Sequence, residues 1–127
     1  MEANTRKMPD CPVEITLQLI GDKWKVLIIR DLLTGTKRFN ELMRSVTGIT
    51  QKVLTSHLRA MEAAGLVSRK VYAEVPPRVE YTLTAMGESF LPVLNHMLLW
   101  SETHLCPPDY VNPYQDGGCS PLPGDDA

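Results

Sequence analysis

Apolar residues recur at helical spacing along most of the chain and switch to alternation in one stretch. In ITQKVLTSHLRAMEAAG, residues 49–65, Leu54, Leu58 and Met61 fall at i, i+4 and i+7, so one face of a helix is apolar. Thr50 can cap its first turn, and Gly65 can close its last in a left-handed conformation. The opposite face carries Gln51, Lys52, Thr55, Ser56 and Arg59 and no acid. Such a face is either plain solvated surface or a set of partners for base edges and phosphates. The next residues bear on that choice. Leu66 to Tyr72 is apolar and β-branched with basic inserts, and Val79 to Leu83 alternates, so both predict strands. Between them Ala73 to Arg78 contains Pro76-Pro77, which cannot donate to a ladder and so predicts the turn. A glycine-terminated helix followed by a basic hairpin tipped with Arg78 has the layout of a winged helix-turn-helix. In that layout the second helix enters the major groove and the wing reaches the flanking backbone.

The remaining apolar pattern fills in the helices. Cys11-Pro12 opens a first helix in which Val13, Leu17 and Ile20 form a stripe widened by Ile15 and Leu19, and Gly21 stops it. Trp24 to Leu33 predicts a core helix with Val26, Leu27, Ile29, Leu32 and Leu33 apolar, broken at Gly35. Thr36 to Phe39 reads as a short strand or extended bridge. Asn40 can then cap a short helix running to Val46, with Phe39 and Leu42 inward. Together with 50–64 that helix makes the helix-turn-helix. Thr84 caps a last helix, Ala85 to His104, with Pro92 expected to kink it near Glu88. Its apolar residues Phe90, Leu91, Val93, Leu94, Met97, Leu98 and Trp100 cover more than one face. So small a domain has little core to cover both, which predicts a homodimer through the N- and C-terminal helices. The fold class expected is therefore mainly α with a small β-hairpin. Residues 1–10 are expected to be a flexible N-terminus, 11–106 the DNA-binding and dimerisation domain, and 107–127 a flexible Pro/Gly-rich tail.

Charge sharpens this picture. The whole chain of 127 residues carries a net charge of −2, which does not suggest a generally basic nucleic-acid binder. Yet residues 22–82 hold 11 Lys+Arg against 6 Asp+Glu, while the rest holds 2 against 9. A basic centre lies between acidic ends. An 18-residue apolar run is lacking, so no membrane span is expected, and MEANTRKMPD lacks the apolar core of a secretory signal. A cytoplasmic location follows as the expectation, in which three cysteines are not a structural disulfide framework.

Several stretches together resemble one family. CPVEITLQLIGDKWKVLIIRDL, RFNEL, GITQKVLTSHLRAMEAAGLVSR and YAEVPPRVEYTLTAMGESFLPVLN are similar to the HxlR family of bacterial winged-helix regulators, relatives of the MarR group. The likeness runs from Cys11 to about His104, and EVPPRVEY is its most specific segment. It implies a homodimeric transcriptional regulator, most simply a repressor, on an inverted-repeat operator of double-stranded DNA. Some HxlR-type proteins respond to oxidants, quinones or aldehydes through a cysteine at the position of Cys11.

The candidate DNA contacts are Thr50, Gln51, Lys52, Thr55, Ser56 and Arg59 on the second helix and Arg78 on the wing, with Lys37 and Arg38 as further phosphate contacts. Glu62 repels phosphate, so groove contact should fade before it. Cys11 has two readings. At a helix start a thiolate is favoured by unpaired amides, although Asp10 and Glu14 oppose it. Alternatively it is a small hydrophobe packed at a dimer seam. With the resemblance, Cys11 is read as a redox-sensing thiol, with Cys106 or Cys119 of the other subunit as its resolving partner and a small electrophile or oxidant as the inducer. His57, His96 and His104 with Cys106 and Cys119 make only a weak metal-ligand pattern, so no metal, cofactor or catalytic site is expected. Two alternatives stay open: control by a non-covalent small ligand, and a winged helix that binds protein instead of DNA.

Overall fold

A computed structural model describes residues 11–111. Its elements in chain order are α1 (Pro12–Ile20), α2 (Lys23–Leu32), β1 (Lys37–Arg38), α3 (Phe39–Ser45), α4 (Gln51–Ala63), β2 (Val67–Tyr72), β3 (Arg78–Leu83), α5 (Ala85–Glu88) and α6 (Leu91–His104). The expected flexible N-terminus, 1–10, and most of the expected tail, 112–127 with Cys119, lie outside the described residues.

The core forms where the inward stripes converge. Ile28, Ile29 and Leu32 of α2 meet Leu42 and Val46, then Leu54, Leu58 and Met61 of α4. Leu66, Val67 and Leu83 close it from the sheet, and Leu94 is the contribution of α6. Burying each such side chain stabilises by about 1.5–3 kcal/mol. The expected hairpin is present, and β1 joins it, giving an antiparallel three-stranded sheet in the order β1-β3-β2. The register pairs Val67 with Leu83, Arg69 with Tyr81 and Tyr72 with Arg78, while Lys37 lies opposite Tyr81.

Helix α4 is bounded as its sequence implies. The Thr50 hydroxyl oxygen accepts from the Val53 amide at 3.2 Å. At the other end Gly65 takes φ +85°, while the amides of Gly65 and Leu66 donate to the carbonyls of Glu62 and Met61. This is the paired closure that a left-handed residue permits.

Three boundaries differ from expectation. Helix α2 starts at Lys23 because the Asp22 carboxylate accepts from the amides of Trp24 and Lys25. Helix α3 starts at Phe39, before Asn40, because the Glu41 carboxylate turns back to the Arg38 amide at 2.7 Å. The last helix is divided, not kinked. α5 stops at Glu88, and Pro92 sits in the first turn of α6, where its missing N–H leaves no helical bond unmade.

Candidate nucleic-acid interface

Helix α4 buries Leu54, Leu58 and Met61 and leaves Gln51, Lys52, Ser56 and Arg59 exposed, with Thr55 half-exposed. Packing on one side thus forces the polar set to the other. Between this face and the sheet runs a groove of about 380 Å³, lined among others by Gln51, Thr55, Arg59, Arg69 and Tyr81. Arg69, on β2, pairs with Glu62 at 3.5 Å and so brings a second guanidinium to the groove beside Arg59. The acid expected to repel phosphate is therefore answered by a base of the wing. Burial pushes the Tyr81 phenol up, opposed by the charges of Arg69 and Arg59 and reinforced by Glu62, which keeps it a neutral hydrogen-bonding group. Arg69 and Tyr81 were not among the sequence candidates. Their signal lay in the period-2 pattern of the hairpin, which puts residues 69 and 81 on the face shared with buried Val67 and Leu83.

The other candidates separate. Arg38 is exposed and lines a second groove with Asn40, Arg78 and the wing turn 74–77. Lys37 is turned into the scaffold instead, its ammonium donating to the Asp31 carbonyl at 3.2 Å and to the Thr34 hydroxyl at 2.6 Å. It ties the end of α2 to β1. Arg78 is not a free tip. Its guanidinium lies 3.9 Å from the Tyr72 ring centre, with carboxylates of Glu74 and Glu80 at 3.3 and 3.6 Å from Nε. Nε is buried and makes no hydrogen bond, so those contacts are Coulombic. The turn between β2 and β3, residues 73–77, is exposed throughout.

Cys11 is exposed at the start of α1, and its thiol makes no capping hydrogen bond. Cys106 is half-buried just beyond α6. Both helices carry bare apolar surface. Val13 and Leu17 of α1 are 64% and 57% exposed, as are Leu99 and Trp100 of α6 at 61% and 57%. Among the described residues no group of three His, Cys, Asp or Glu side chains could hold a metal ion, and no helix is long and apolar enough to cross a membrane.

The polar-faced helix α4, the three-stranded sheet and the flanking terminal helices occur together in one chain. The sequence pattern of the HxlR-like helix-turn-helix family matches residues 19–109. The chain belongs to that family. It is 44% identical over 108 residues to the helix-turn-helix-type transcriptional regulator YybR of Bacillus subtilis, covering 85% of this chain and 84% of the relative. It is 50% identical over 90 residues to YkvN of the same organism, covering 71% and 76%. Among solved structures, the oxidised form of the redox regulator HypR matches at TM-score 0.69 with 46% identity, over 76% of this chain and 100% of that one. The reduced form of the transcriptional regulator YodB from B. subtilis matches at TM-score 0.69 with 36% identity, over 80% and 100%. This HxlR-like chain is thus a transcriptional regulator built on a winged helix-turn-helix, not an enzyme.

Proposed function

We propose that this regulator binds a specific inverted-repeat operator as a homodimer, represses from it, and is released when Cys11 is oxidised or alkylated. The observation that carries the DNA reading is the outer face of α4, with Gln51, Lys52, Ser56 and Arg59 exposed and Thr55 half-exposed beside a groove in which Arg69 pairs with the one acid, Glu62. Thr50 sets the start of that face, and Arg38 and Arg78 flank it on the backbone side. Arg78 reaches phosphate by exchanging Glu74 and Glu80 for it. Exposed apolar residues on α1 and α6 support a two-fold seam between copies.

Control through thiols rests on the exposure of Cys11 and on the relatives solved as a redox regulator and after diamide treatment. Cys11 and Cys106 of two copies would surrender two protons and two electrons to an oxidant such as diamide and form one disulfide. Cys119 is the alternative second thiol. A cytoplasmic location fits this chemistry, because a reducing compartment returns the thiols.

The test is a fluorescence titration of a fragment from upstream of the protein's own gene. Wild type and Cys11→Ser should both bind, and diamide should release wild type alone, reversibly with dithiothreitol. Release of Cys11→Ser by diamide would place the responsive group elsewhere. Absence of specific binding by the reduced protein would overturn the DNA reading itself.

A further inference from the structure

One side chain ties α4 to the turn between α1 and α2. The Nε2 of His57 lies 2.8 Å from an Asp22 carboxylate oxygen, and its Nδ1 lies 3.0 Å from the Val53 carbonyl oxygen. The other Asp22 oxygen caps α2 through the amides of Trp24 and Lys25 at 3.0 and 3.4 Å. One carboxylate therefore joins the end of α1, the start of α2 and the middle of α4.

Asp22 brings no proton to the contact. Burial pushes its carboxyl up, but the hydrogen bond and charge of His57 and the two amides together outweigh that and hold it below the ordinary range. The Val53 carbonyl has no proton to give either. Both ring nitrogens thus face acceptors, whereas a neutral imidazole carries a single N–H. Only the doubly protonated ring donates to both. In the neutral ring one nitrogen lone pair opposes an oxygen, and one of the two contacts is lost.

Other charges are turned elsewhere. On α2 the Lys25 ammonium donates to the Leu19 carbonyl, and Lys23 lies over the Trp24 ring. On α4 itself Lys52 and Arg59 are exposed, and Glu62 is paired with Arg69 of β2. Among the described residues His57 makes no hydrogen bond or ion pair beyond the two named.

We propose that His57 is a positioning residue for the DNA-reading helix and that operator binding takes up a proton at its ring. Ser56 and Arg59 sit within two residues of His57 on the face offered to DNA. A ring that holds both Asp22 and Val53 fixes where those groups point, and nearby phosphates favour the charged ring further. Affinity therefore falls as pH rises and the ring gives up its second proton. The inference rests on α4 being the reading helix.

The experiment measures operator affinity by fluorescence anisotropy at constant ionic strength between about pH 6 and 8. Wild type is compared with His57→Gln and Asp22→Asn. Glutamine can donate to Asp22 at every pH, and asparagine keeps an acceptor for the α2 cap. Wild-type affinity should fall several-fold over the range, with a ceiling of about tenfold per pH unit for one linked proton. Both variants should bind with a flatter profile. A purely structural role would lower affinity in the variants by one factor at every pH, and such parallel profiles overturn the proton coupling while leaving the DNA reading intact. If wild type binds no duplex at any pH, the reading of α4 is itself overturned. Should either variant fail to fold, the other carries the comparison.

Discussion

At the scale of single residues, spacing showed which faces are polar but not which polar groups are free. Arg59 and Lys37 are both basic residues in basic surroundings. Arg59 is exposed beside the groove, whereas Lys37 spends its donors on Asp31 and Thr34. Nothing in helical or strand periodicity distinguishes the two, because the partners of Lys37 come from the preceding turn. Arg78 is a similar case, since its pairing depends on the register that puts Tyr72 opposite it. Arg59→Ala should weaken operator binding by about 1–3 kcal/mol and relax one base position, as judged by competition with single-base operator variants. Asp22 gives a second expectation. Its folded carboxyl is held below the unfolded value, so its contribution is present above that value and is lost as pH falls through the folded one. The melting temperatures of wild type and Asp22→Asn should therefore converge between neutral pH and about pH 3, below the ordinary carboxylate value.

At the scale of elements, the fold was largely legible. Thr50, Gly65 and Pro76-Pro77 are strong punctuation, and α4 and the hairpin lie where they put them. Less legible was what a side chain does at a distance of a few residues. Asp22 extends α2 by one residue and Glu41 starts α3 early, through hydrogen bonds that only the folded turn brings into line. Pro92 shows the same ambiguity, because a proline inside an apolar run is compatible with a kink or with a new first turn. Removing the α4 cap with Thr50→Ala should cost about 1 kcal/mol, read from denaturant midpoints. Gly87 is a sharper case. A Cβ there would run into the Leu66 carbonyl and would come within 2.8 Å of Leu83 Cδ2. Leu66 and Leu83 are core residues, so Gly87→Ala should destabilise by about 1–3 kcal/mol, and the loss should exceed that of Ala at exposed Ser89.

At the scale of the molecule, the chain presents the polar, partly basic face of α4 on a body with two half-covered terminal helices. The wide apolar arc of α6 was visible as sequence, but its division into a buried Leu94 and an exposed Trp100 was not. That division depends on where α2 lies against the helix. Replacing Trp100 or Leu17 by Glu should yield a folded monomer by sedimentation, with operator affinity greatly reduced because one protomer spans one half-site. The bare faces of α1 and α6 also carry a consequence in mass action. If copies cover these faces for one another, association stabilises the folded state and its melting temperature rises with protein concentration. Occupancy of the operator then grows as the square of protein concentration wherever monomers predominate. A small change in synthesis rate would become a larger change in operator occupancy, and dilution at cell division would lower it.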